Sequence, residues 1–147
     1  MQFGLQQVDT KTLSEQGVRM VVTRVDTGEA LVTELGVMAL ILLGSDSKVY
    51  RARTRAVGRR QAEKARAGKP VSPQDFASEV SDVDEQTIEI LAAATVGWEN
   101  VPNAQGEPIP FSTDAVADLY RQYPAIRDQA DLFIGNRVNF LRASSTN

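Results

Sequence analysis

Val37-Met38-Ala39-Leu40-Ile41-Leu42-Leu43 is the stretch that decides the fold, an unbroken apolar run held between Gly36 and Gly44. A strand covered on both faces has this continuous pattern, because neither row of alternating side chains meets water. Periodicity leaves a buried helical turn as the rival reading of so short a run. The flanking glycines favour a strand. On its N-terminal side, Val18 to Val25 is rich in β-branched residues. Asp26-Thr27-Gly28-Glu29 then supplies a turn, and Ala30 to Leu35 can return as a second strand. A small antiparallel sheet over residues 1–44 is the expectation.

On its C-terminal side the charge changes abruptly. Between Lys48 and Lys69 stand nine basic residues and one acidic residue, Glu63. From Val71 to Asn147 there are four basic and twelve acidic residues, so the overall charge of −3 hides a polarised chain. Ser45 or Ser47 can cap a basic helix that starts near Asp46, runs to Ala67 and stops at Gly68 before Pro70. That helix (45–70) has few large apolar residues. Its later part is expected to project into solvent or to await a partner.

Ser72 suits an N-cap and Pro73 the first helical position of the next helix. Phe76, Val80, Val83, Thr87, Ile90 and Ala94 recur at spacings of four and three, with Ile88 and Leu91 widening the stripe. Its other side is acidic. Gly97-Trp98-Glu99-Asn100 ends it, and Asn103 to Pro110 reads as a loop. Ser112 caps a short helix bearing Val116, Leu119, Tyr120 and Tyr123. Pro124 opens a last helix with Ile126, Ala130, Phe133, Ile134, Val138 and Leu141. Residues 71–142 are therefore helical and 143–147 a frayed tail. The predicted class is α+β in one domain over 1–147, with a small N-terminal antiparallel sheet and a mainly helical C-terminal two-thirds. A chain of this length sustains a core without staples.

Composition narrows the chemistry. The chain has no cysteine and no histidine. Disulfides, thiolate chemistry and a Ser-His-Asp or Cys-His site cannot be built from it alone. The absence of cysteine fits a reducing cytoplasm. No basic leader precedes an apolar stretch at the start, and the seven-residue run is far short of the ~20 needed to span a bilayer. No membrane role is expected. Gly44-Ser45-Asp46-Ser47 looks like a nucleophile turn but lacks the glycine spacing and any histidine, and a helix cap explains it. Asp82, Asp84 and Glu85 lie on a solvated helix face, an ordinary arrangement for acidic residues and a poor one for a hard cation. No pair of carboxylates stands out for general acid–base work. No catalytic residue, metal or cofactor is expected.

Three readings of the basic segment stand side by side. Arg51, Arg55, Arg59 and Arg60 can meet nucleic acid, an acidic protein surface or only solvent. Nucleic acid is the weakest of these, since Tyr50 is the one aromatic there and the acidic remainder repels a polyanion. An acidic protein surface includes the acidic helix of a second copy, in which case salt-sensitive homo-oligomers form. The large apolar residues Phe76, Val80, Val83, Trp98, Phe111, Tyr120, Tyr123 and Phe133 are candidates for partner contact. The competing reading for each is the chain's own core.

Four stretches carry a family resemblance. They are Thr27-Gly28-Glu29, Gly44-Ser45-Asp46-Ser47-Lys48-Val49-Tyr50-Arg51, Val96-Gly97-Trp98-Glu99-Asn100-Val101, and Gly106-Glu107-Pro108-Ile109-Pro110-Phe111-Ser112 followed by a helix to Tyr123-Pro124. In this order, over residues 18–141, they resemble the tail assembly chaperones of long-tailed bacteriophages. The resemblance implies a non-enzymatic protein of the host cell cytoplasm, absent from the mature virion. Such a protein coats the long helical tape-measure protein, keeps it soluble and helps recruit tail tube subunits. Some members are made in two lengths by a ribosomal frameshift. A structural virion subunit, of the tail or head-completion kind, and a nucleic-acid-associated phage protein using residues 48–69 are the alternatives.

Overall fold

The computed structural model describes residues 1–68 and 73–141, with the backbone alone described over 73–81. The expected cap at Ser72 and the expected tail from Arg142 lie outside the described residues. The class is α+β. In chain order the elements are α1 (Lys11–Gln16), β1 (Val18–Val21), β2 (Val32–Thr33), β3 (Gly36–Val37), β4 (Ala39–Leu42), α2 (Lys48–Arg66), α3 (Pro73–Ala94), β5 (Thr95–Glu99), α4 (Thr113–Gln122) and α5 (Pro124–Gly135). Short 3-10 turns cover Gln6–Val8 and Arg137–Phe140.

Within the apolar run Ala39–Leu42 is a strand, and it is central, whereas Val37 belongs to β3. β4 pairs antiparallel with β1 (Val18 opposite Leu42, Val21 opposite Ala39) and with β5 (Ala39 opposite Glu99, Leu40 opposite Trp98). Leu40 and Leu42 lie two residues apart, on one face, and are fully buried in the main core. The other face is covered more lightly than the sequence suggested. There Ile41 stays half-buried, beside two glycines, Gly17 and Gly97, where a Cβ would lie 3.3 and 3.5 Å from it.

The expected partner of β1 behaves differently. The turn at Asp26–Glu29 forms, but Ala30 contributes a single bridge to Thr23. Val32–Thr33 then makes a separate two-stranded hairpin with Gly36–Val37. The third strand of the main sheet is β5, from the stretch read as a helix terminator. α3 runs into β5 with no loop between them.

α2 follows its capping chemistry. The Ser47 hydroxyl accepts from the Tyr50 amide at 3.2 Å, and Gly68 ends the helix at φ +56°. Its length is not left projecting, however. α2 and α3 lie antiparallel, and three basic residues of α2 are held by α3: Arg53 and Arg60 by Glu89, Lys64 by Asp82. Glu85, on the same helix, is held by Arg121 of α4 at 2.8 Å.

The phase of α3 also shifts from the predicted stripe. Ile88, Leu91, Ala92 and Ala94 are buried, whereas Val83 is 53% exposed. The side chains of Phe76 and Val80 lie outside the described residues. α5 stops at Gly135, earlier than its apolar spacing suggested. Val138 is exposed, and Phe140 is buried edge-to-face against Phe133 at 5.7 Å.

Asp46 sits just before the cap of α2 and ties three segments together. It accepts from Thr10 at 2.6 Å and from both forks of Arg137, at 2.9 and 3.0 Å. The Arg137 bonds first, then Thr10, hold its carboxyl below the ordinary range. A depressed folded pKa contributes stability above the unfolded value, and the contribution is lost as pH falls through the folded one. We therefore expect the urea midpoint to fall as pH drops below about 4, the ordinary aspartate range. Asp46→Asn should lower the midpoint at neutral pH and flatten this acid limb. Parallel acid limbs for both proteins would exclude the contribution.

Candidate docking surface

A concave surface lies between β5, the chain after it and α4. Trp98 is carried on β5 opposite the buried Leu40 and is itself half-buried. Its indole Nε1 donates to the Ile109 carbonyl at 2.9 Å, and Phe111 meets its ring edge-to-face at 5.4 Å. The intervening loop folds back on itself. The Ile109 amide donates to the Val101 carbonyl at 2.9 Å and the Asn103 amide to Glu107 at 2.7 Å. The Asn103 side chain accepts from the amides of Gln105 and Glu107, each at 2.9 Å. Gly106 takes φ +80° to close the turn.

Ser112 then caps α4 by accepting from the Ala115 amide at 3.0 Å. α4 ends at Gln122, and its C-cap Tyr123 is 54% exposed and lines the same groove as Leu119. Trp98, Val101, Pro102, Ile109, Leu119 and Tyr123 are the larger apolar side chains lining a groove of about 540 Å³. Asn103, Asp118 and Gln122 stand on its polar edge.

The remaining sequence candidates separate. Tyr120 is fully buried, with its hydroxyl 2.7 Å from the Thr95 hydroxyl. It is a core residue, as is largely the case for Phe133, which packs against the core. Phe111 supports Trp98 from behind. Arg60 is spent on Glu89. Arg51, Arg55 and Arg59 are exposed and make no ion pair with a described residue. Part of the opposite charge that the sequence offered as a bridge between copies thus meets inside one copy, through Arg53, Arg60 and Lys64.

No protein-family model, curated protein or solved structure matches the chain.

Glu85 and Glu89 are lowered by their bonds to Arg121 and Arg60, and burial raises Tyr120. Among the described residues no three acidic groups converge to hold a metal ion, and no helix is long and apolar enough to cross a membrane. Sequence reasoning missed the groove as a unit. Trp98 and Tyr123 were visible as large aromatics, but Val101, Pro102 and Ile109 join them only once the loop folds back.

Proposed function

We propose that this chain is a tail assembly chaperone: a binding protein without a catalytic site that engages the tape-measure protein and keeps it soluble before the tube encloses it. Recruitment of tail tube subunits belongs to the same reading, as does action in the host cytoplasm and absence from the mature particle. The observation that carries the reading is the apolar groove of Trp98, Leu119 and Tyr123, open to solvent on a scaffold of strand and capped helix. A tape-measure protein exposes apolar helical surface that aggregates when left uncovered. A groove lined by a half-buried indole and an exposed tyrosine suits single large side chains of such a helix. The ordered sequence resemblance points the same way. So do carboxyl groups lowered by ion pairs, which suit structure better than proton transfer near neutral pH.

Co-expression with the candidate tape-measure protein tests it. The wild-type chain should hold that protein in the soluble fraction. Tyr123→Ser should weaken the complex roughly tenfold or more, as expected for a central aromatic anchor, while leaving the melting temperature nearly unchanged. A tape-measure protein that stays insoluble beside the wild-type chain, or a Tyr123→Ser variant that binds as well, would end the reading. Detection of the chain in purified particles by mass spectrometry would favour the structural-subunit alternative.

A further inference from the structure

Gly58 lies in the interior of α2, a 19-residue helix, and the fold gives it no reason to be glycine. A Cβ built there meets nothing within 4 Å, and its φ is not in the left-handed region. Alanine would fit and would make a more stable helix, since glycine loses more backbone freedom on folding. A second choice on the same side also weakens the free helix. Arg51, Arg55 and Arg59 follow one another at four-residue spacing, and like charges at that spacing repel.

At 3.6 residues per turn, Arg51, Arg55, Gly58, Arg59 and Ala62 share an arc of roughly 100°, turned away from Val57. Val57 is the buried residue of this helix. All five arc residues are exposed, as are Lys48 and Arg66, which fall on the same arc. Gly58 and Ala62, four apart, leave a shallow seam where another backbone can come close. Arg51 stands in line with it and Arg55 and Arg59 run along one side, over about 12 Å of helix axis.

We infer that this outward face of α2 is a docking seam for an acidic helix of another protein. Such a helix would lay small side chains against Gly58 and Ala62 and set carboxylates beside Arg51, Arg55 and Arg59. Both features that weaken the isolated helix would then be offset in the complex. The molecule already uses this chemistry once. On its other side α2 receives the acidic helix α3 through Arg53, Arg60 and Lys64. A nucleic acid fits less well. The arc carries no aromatic ring on which a base could stack. Two copies cannot pair through this face with each other, because arginine would oppose arginine. The seam is separate from the Trp98–Tyr123 groove and does not depend on the chaperone reading.

The test uses the full chain and an alanine-based helical peptide with glutamate at every fourth position. Its control is a peptide of equal composition with the glutamates spread around the helix. Fluorescence anisotropy should show the striped peptide binding roughly tenfold tighter than the control, more weakly as salt rises. Gly58→Leu should raise the melting temperature by about 2–4 °C and yet weaken the striped peptide about tenfold. Arg55→Glu with Arg59→Glu should abolish binding. Equal affinity for the two peptides would overturn the inference, as would unchanged binding by Gly58→Leu. So would tighter binding of a generic DNA duplex, or self-association in sedimentation that Arg55→Glu removes.

Discussion

Tyr120→Ala should cost about 3–5 kcal/mol of stability, the usual range for deleting a buried aromatic ring. Tyr120 is 0% exposed and packs in the cluster that joins the sheet to α3, α4 and α5. Its hydroxyl has a definite role. The Thr95 hydroxyl donates to the Leu91 carbonyl at 2.7 Å, so its single proton is used. The 2.7 Å contact between Thr95 and Tyr120 is therefore a bond donated by Tyr120. Tyr120→Phe removes that bond but keeps the ring, and should cost about 1 kcal/mol. Burial holds the phenol above its ordinary pKa. A raised folded pKa gives stability that is intact below the unfolded value, about 10 for tyrosine, and is lost as pH rises toward the folded one. Urea unfolding should accordingly show an alkaline limb above about pH 10 that is shallower in Tyr120→Phe. A Tyr120→Ala protein within about 1 kcal/mol of wild type would contradict core placement and return Tyr120 to the candidates for partner contact.

The contrast between Tyr120 and Tyr123 shows where sequence reading stops. Tyr120 lies in α4 and Tyr123 is its C-cap, three residues apart, and both looked equally suited to a partner. One ring fills the core and the other faces solvent, and only the position of β5 and α5 around α4 separates them. Local signals did better where the chemistry is local. The apolar run at β4, the Ser47 and Ser112 caps, Gly68 at the end of α2 and Pro124 at the start of α5 all act within a few residues. β5 was out of reach for the opposite reason. Thr95–Glu99 follows α3 without a turn residue, and its partner strand lies more than fifty residues earlier. α1 escaped notice because its six residues carry no apolar stripe. It is organised instead by Asp9, which accepts from the amides of Lys11 and Thr12 and from the Thr12 hydroxyl.

Charge was legible as a pattern and illegible as a pairing. The sequence shows a basic helix followed by an acidic one. Whether they meet within one copy or between copies cannot be read from the charges alone. Ion pairs from Arg53, Arg60 and Lys64 to α3 answer that for three of the eight basic residues in α2 and leave the arc with Arg51, Arg55 and Arg59 for something else. All of these pairs are substantially exposed, so they orient α2 on α3 more than they stabilise it.

Gly44→Ala should destabilise the protein by about 1–3 kcal/mol, the range for forcing an extra methyl into a filled site. A Cβ at Gly44 would stand 2.1 Å from the Ser14 Oγ, 2.8 Å from the Ser14 Cβ and 3.0 Å from a Phe140 ring carbon. Rotating the serine relieves only the first of these. Ser14 is itself buried, and its hydroxyl donates to the Thr10 carbonyl at 2.6 Å while the Gly44 amide donates to the Ser14 carbonyl at 3.1 Å. α1 is thus pinned against the exit of β4, with Phe140 closing the third side. Glycine is required here by close approach, not by backbone conformation. If so, the two sites couple. Ser14→Gly, which costs stability alone, should recover part of the loss in a Gly44→Ala background, with an interaction of about 0.5–3 kcal/mol in a double-mutant cycle. Chemical denaturation of the four proteins measures it. Additive losses, or a Gly44→Ala protein within about 0.5 kcal/mol of wild type, would mean that α1 yields easily and does not lock the end of the central strand.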